Sequence, residues 1–214
     1  MSYNPSEYWH ERGKVYKQNF HYDENKRLQE EFLIEYLNSI TGSFKSILEL
    51  GCGFGRITKL LVTNYNNITE YLAIDISPHQ IENAKILLSS VKLPNEVKLE
   101  FMVSDIQSLN LDNKKKYDLV ILSEVLLHIL PSEIDSVIKK LVTLSKKHII
   151  NIDWYEDKLP RDYKIRATYN FIHQYETIYK RYIDSSSTIK RIPIKRKKFL
   201  GTLDTKQSIF HVML

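Results

Sequence analysis

Apolar residues recur along this chain with two different periods, and the switches between them outline its elements. Leu28, Phe32, Leu33, Tyr36, Leu37 and Ile40 form a stripe at helical spacing, which predicts a helix over 25–40. Short apolar runs at 46–50, 71–76, 97–103, 117–122 and 148–152 have strand length. Helical stretches separate several of them. One runs from about 56 to 65. A second starts at a capping box, Ser77-Pro78-x-Gln80, and reaches 89 or 90. A third, 132–145, carries Ile134, Val137, Ile138, Leu141 and Val142 on one face. Strands alternating with helices predict right-handed βαβ units and a doubly wound, mostly parallel α/β sheet. Beyond Pro160, the positions Ile165, Tyr169, Ile172, Tyr179 and Ile183 predict one long helix. Segments 189–200 and 208–214 then pair as an antiparallel hairpin across Gly201-Thr202.

The densest chemical signal is Ile47-Leu48-Glu49-Leu50-Gly51-Cys52-Gly53-Phe54-Gly55-Arg56, a strand ending in three alternate glycines and a helix start. Glycine tolerates positive φ and lets backbone approach a ligand, and the N–H groups of the following helix face what is bound. A dinucleotide fingerprint would need its third glycine at position 56, where Arg56 stands, so the spacing disfavours a nicotinamide-dependent oxidoreductase.

Composition narrows the class. The 214 residues, 43% hydrophobic and 27% charged, suit one soluble domain: an N-terminal lid and helix over 1–42, a ligand-binding core over 43–153, and an acceptor-side helix with a hairpin over 154–214. No run approaches a membrane span, and the first residues lack the apolar core of a signal peptide. Cys52 is the sole cysteine, so no internal disulfide forms and a cytoplasmic setting is expected. Seven scattered histidines offer no metal-ligand spacing, so no metal is expected. The net charge of +5 resides in the last third, most densely at Lys190–Lys198, read as a guarded edge strand or a surface for polyanions.

Four segments in order carry a resemblance: the glycine loop with Glu49 before it, Asp75 closing the second strand, Ser104-Asp105-Ile106 closing the third, and Ser123-Glu124 through His128-Ile129 after the fourth. The sequence resembles a class I S-adenosylmethionine (SAM) dependent methyltransferase over roughly 45–153. The resemblance implies a Rossmann-like seven-stranded sheet whose last strand is antiparallel and inserted between the fifth and sixth. It implies a cofactor site of Glu49, Gly51, Cys52, Gly53, Gly55, Arg56, Asp75, Ile76, Ser104, Asp105, Ile106 and Ser123. Asp75 would face the ribose, Asp105 the adenine amino group, and Ile106 the ring. Trp9, Arg12 and Tyr16 resemble an entry segment that folds over the cofactor as a helical lid, with Arg12 toward its carboxylate. Catalytic candidates are His128, Glu124 and His173, with a pocket walled by Glu124, His128 and a helix bearing His173 and Tyr175. The activity implied is methyl transfer to an O or N of a small acceptor, anionic in the variant the basic end would attract. RNA or another nucleic acid and protein are the alternative acceptors, and a catalytically silent SAM-binding partner subunit is the alternative role.

Overall fold

The computed structural model describes residues 4–40, 44–93, 97–112, 115–194 and 206–214. Two helices come first, α1 (Pro5–Asn19) and α2 (Glu24–Ser39). The side chain of Asn4 accepts from the N–H groups of Ser6 and Glu7, and Pro5 stands at the first turn, which starts α1 without unsatisfied donors. The alternating units follow as β1 (Ser46–Leu50), α3 (Arg56–Asn64), β2 (Glu70–Asp75), α4 (Pro78–Ser89), β3 (Lys98–Val103), β4 (Tyr117–Ser123), α5 (Ile134–Leu144) and β5 (Ser145–Tyr155). A single 3-10 turn, Leu126–His128, sits between β4 and α5. The chain continues through β6 (Tyr163–Ala167), β7 (Asn170–His173), α6 (Tyr175–Tyr179), β8 (Thr188–Pro193) and β9 (Lys206–Met213).

The main sheet has seven strands in the order β3-β2-β1-β4-β5-β9-β8. Strands β1 to β5 pair in parallel, and β9 runs antiparallel between β5 and β8. This is the Rossmann-like arrangement, with the last strand inserted between the fifth and sixth. Both faces are covered, so β1 is buried at every position and β4 reads as a nearly continuous apolar run. Leu48, Leu50, Val120, Leu122 and Ile149 face α5 and α6, while Ile47, Leu119, Ile121 and Ile150 join the cluster of Leu33, Leu37, Ile57 and Leu61 from α2 and α3. Because β1 has β2 on one side and β4 on the other, the winding reverses there and opens a crevice at the strands' carboxyl ends.

The long helix expected past Pro160 does not form. Residues Tyr163–His173 make a two-stranded hairpin, β6 against β7, and only Tyr175–Tyr179 are helical. The spacing of Ile165, Tyr169 and Ile172 mimics a helix, but Ile165 is 57% exposed while Phe171, Ile172 and His173 are buried in succession. Successive burial is a strand against a covered surface, not a helical stripe. The terminal hairpin forms between β8 and β9. The basic residues Lys195–Lys198 and the expected crossing point at Gly201-Thr202 lie outside the described residues. No described helix is long and apolar enough to cross a membrane.

A polar chain crosses the sheet away from the crevice: the Tyr36 hydroxyl lies 2.8 Å from His211 Nδ1, and His211 Nε2 lies 2.9 Å from His148 Nδ1. Burial first, then the His148 and Lys190 charges, lower the His211 pKa to about 4. The unfolded chain therefore takes up this proton near pH 6.5 while the folded chain resists it. Stability is full above pH 6.5 and falls as pH drops toward 4, by up to about 3 kcal/mol from this group. Thermal melts across pH 4–7.5 check this: His211→Gln should show a shallower acid decline than wild type over that window, and parallel curves would disprove it.

Candidate functional site

The crevice holds a cavity of ≈ 1170 Å³, its open mouth included. Its floor is the loop after β1. Gly51 and Cys52 donate to the Ile74 carbonyl at 2.7 and 2.9 Å, which fastens this loop to the end of β2. The Asp75 carboxylate then takes the Gly53 N–H on one oxygen, at 2.8 Å, and the Ser77 N–H on the other, at 2.9 Å. Burial raises the pKa of Asp75, and the N–H groups of Ser77, Gly53 and Ile76 pull it back. Beneath the loop, Glu49 accepts from Thr58 at 2.5 Å and Tyr71 at 2.7 Å, and burial lifts its pKa to about 7. Burial also pushes the Cys52 thiol well up, so it is a packing residue rather than a nucleophile.

The wall after β4 centres on Glu124, the only non-glycine residue with positive φ (58°) among the described residues. Lys26 of α2 binds both its oxygens, at 2.6 and 2.7 Å, and Gln207 of β9 donates to one at 2.7 Å. Burial pushes this carboxyl up, but Lys26, Arg56 and Gln207 pull harder and hold it at about 2. It is a fixed anion and a weak base. Arg56 is itself engaged by Glu30 at 2.8 Å and Gln29 at 2.6 Å.

Farther along the wall, His128 Nδ1 lies 2.8 Å from the Tyr169 carbonyl. Burial lowers its pKa to about 4, with the Tyr169 carbonyl and Glu124 opposing, so the ring is neutral near pH 7. A carbonyl only accepts, so Nδ1 carries the proton and Nε2 the lone pair. The Trp9 ring packs edge-on against His128 at 4.5 Å, and Tyr8 stacks on Tyr169 at 4.8 Å. Thus α1 and the β6–β7 turn meet over the mouth.

Of the residues anticipated from sequence, Glu49, Gly51, Cys52, Gly53, Arg56, Asp75, Ile76, Ser104, Asp105, Ile106, Ser123, Glu124, His128, Trp9 and Tyr16 all line this cavity. Three do not. Gly55 lies under the loop, where an added Cβ would come within 3.1 Å of Ala84 Cβ. Arg12 is exposed on α1, because the face of that helix toward the cavity is the one bearing Trp9, Gly13 and Tyr16. His173, 1% exposed, lies behind the wall with Nε2 3.0 Å from the Ile129 carbonyl, since its segment is strand rather than helix. Tyr175 is buried likewise, so no helix bearing these two residues walls the pocket. Asp153 also lies beneath the wall: it accepts the Leu127 N–H at 3.1 Å, and burial raises its pKa to about 8. Lys26 and Gln207 carried no sequence signal, being single polar residues whose partner is distant in the chain.

Residues 47–148 match a family described as "Methyltransferase domain". The matched segment, just under half of the chain, is thus similar to a methyltransferase domain. A relative from Acetivibrio thermocellus, a malonyl-[acyl-carrier protein] O-methyltransferase, is 36% identical over 103 residues, 47% of this chain and 33% of that protein. The match thus spans about a third of that relative's length. Among solved structures, a SAM-dependent methyltransferase from Leishmania major superposes with a TM-score of 0.73 at 17% identity, over 98% of this chain and 81% of that one. The magnesium protoporphyrin IX methyltransferase from Synechocystis, with bound S-adenosylhomocysteine, gives a TM-score of 0.69 at 16% identity over 97% of both chains. At these identities the structural likeness speaks for the fold.

The crevice is roofed by α1, which docks on α4 at Gly13. The Gly13 carbonyl accepts from Gln80 Nε2 at 2.7 Å, and a Cβ on Gly13 would stand 2.0 Å from Ser77 Oγ. Ser77 has little freedom, because it caps α4 and donates to Asp75. Gly13→Ala should favour the isolated helix yet undock it, a net loss of about 1–3 kcal/mol. Limited proteolysis should then cut within 4–20 faster than in wild type, and an unchanged digestion pattern would show that this contact does not hold the roof.

Proposed function

We propose that the cavity binds SAM and that the protein methylates an oxygen of a small acceptor, with an acidic acceptor as the first choice. The observation that carries the reading is the order of groups around one crevice: an open glycine loop, a carboxylate at each of two strand ends, and a neutral histidine farther along. The residues fit such a cofactor. A Cβ on Gly53, at φ 54°, would meet no protein atom within 4 Å, so this loop leaves an open cradle in the cavity. Asp75 would hold the ribose, Asp105 and Ile106 the adenine, and Gly51, Arg56 and Glu124 the methionine end. When bound, SAM supplies a methyl group on a positively charged sulfur with a neutral thioether as leaving group.

Positioning of the acceptor supplies much of the rate in such a displacement. Among the charged and polar groups after β4, Glu124 is tied to Lys26 and acid-weak in its basicity, which leaves His128 as the proton acceptor. With Nδ1–H on the Tyr169 carbonyl, its Nε2 lone pair would take the proton of a hydroxyl acceptor. An ionised carboxylate acceptor would need no base, and His128 would then orient it. The relative's name, malonyl-[acyl-carrier protein] O-methyltransferase, supports an acidic acceptor. The nucleic-acid reading draws on the basic C-terminal third and the 14 tyrosines. In the described part of that third, Arg191 stacks on Tyr155 at 3.7 Å and lies within 3.9 Å of Glu176 and Asp157 carboxylates, so that cation is committed internally.

Methyl-labelled SAM should transfer label to short-chain carboxylic acids, to thioesters that keep a free carboxylate, or to hydroxyl compounds in preference to RNA or protein. On a hydroxyl acceptor, His128→Ala should lower kcat by about 10²–10⁴-fold, the contribution of a general base, while the affinity for S-adenosylhomocysteine stays within about twofold. Wild-type kcat/KM should be level from pH 8 down to about 5.5 and fall as His128 protonates near 4. Label in RNA alone would overturn the acceptor class, and an unchanged kcat in His128→Ala would remove the base.

A further inference from the structure

One stretch of the cavity's wall is not a regular element but the turn after β3, Asp105 to Leu109, and it is held from outside. Asp105, Ile106 and Gln107 line the cavity. The carbonyls of Ile106, Gln107 and Leu109 all turn away from it and converge on one ammonium, Lys140 Nζ of α5, at 2.9, 2.6 and 3.0 Å. A second tie comes from the residue that precedes α5: Glu133 accepts from Gln107 Nε2 at 2.6 Å. Inside the turn, Asp105 Oδ1 accepts the Gln107 N–H at 2.9 Å, which fixes the carboxylate relative to the backbone. Lys140 is half-buried and does not border the cavity. Burial lowers its pKa, with the Asp105 charge opposing.

We propose that Lys140 is a positioning residue for recognition of the cofactor's base: by gathering three carbonyls it holds Asp105 and Ile106 where an adenine is read. The inference rests on the SAM reading above and adds a residue outside the cavity that sets its selectivity. An ammonium presents three donors around a single point, which three converging carbonyls match. Guanidinium is a planar fork and cannot place its N–H groups at that point. Without Lys140, three partly buried carbonyls lose their partner, and the turn would relax toward water. The glycine loop and Asp75 are anchored independently through Ile74 and Ser77, so the ribose and methionine ends would keep their shape.

The test compares wild type, Lys140→Met and Lys140→Arg in two ways. Hydrogen exchange of the ligand-free proteins should show the 105–110 amides opening at least about tenfold faster in Lys140→Met, with the sheet strands unchanged. Calorimetry with S-adenosylhomocysteine and S-inosylhomocysteine should show about a tenfold loss for the adenosyl ligand and little change for the inosyl one, so the preference between the bases collapses. Lys140→Arg keeps the charge and covers the case in which the Met variant does not fold; it should lose the preference too. Equal weakening of both ligands would mark Lys140 as a general brace and overturn the proposal, as would exchange rates like those of wild type. If the wild type binds neither ligand, the SAM reading fails along with the base selectivity, while the exchange result still decides whether Lys140 pins the turn.

Discussion

The Asp75 carboxylate, at the end of β2, is the joint on which the site is hung. One oxygen holds the glycine loop through Gly53 N–H and the other holds the start of α4 through Ser77 N–H. Ser77 in turn sets the surface on which Gly13 of α1 rests, and Gln80, one turn on, donates from Nε2 to the Gly13 carbonyl at 2.7 Å. A loop, a helix start and a roof helix thus take their places from one side chain. Its burial raises the cost of charge, and backbone N–H groups offset that cost. The joint works because it lies where the sheet winding reverses and the strand ends leave room.

A second set of contacts closes the site from the far ends of the chain. Lys26 and Gln29 come from α2, Gln207 from β9, and all three reach Glu124 after β4. Gln29 and Gln207 are fully buried, and Glu124 is held in a left-handed conformation. A strained residue persists only where its surroundings over-determine it, and here three side chains from two elements do so. The consequence is chemical: a carboxylate pinned at about 2 serves as a fixed charge beside the cavity, while the His128 ring beside it is neutral near pH 7.

Much of this was legible in the sequence because the relevant signals are local. Alternating apolar runs and helical stripes marked β1 to β5 and their helices, and three alternate glycines marked the loop whose φ values of 71°, 54° and 89° only glycine adopts readily. The hairpin 163–173 was misread because Ile165, Tyr169 and Ile172 happen to fall at helical spacing, while exposure of Ile165 is decided by tertiary packing. That error carried His173 toward the pocket, when the strand turns it behind the wall. Lys26 stands 98 positions from Glu124, and Lys140 more than 30 from the carbonyls it gathers. A lone lysine on an amphipathic helix looks the same in sequence whether it points to solvent or into such a network, so neither was visible before the fold.

The claim on which everything else depends is that this crevice binds the cofactor through the joint at Asp75. Titration calorimetry of the purified protein with S-adenosylhomocysteine measures it directly. The account predicts saturable heat at one ligand per chain, and weaker binding by about 1–3 kcal/mol in Asp75→Ala, the worth of one or two hydrogen bonds. Absence of binding to the folded wild-type protein, or equal affinity in the two proteins, would contradict it.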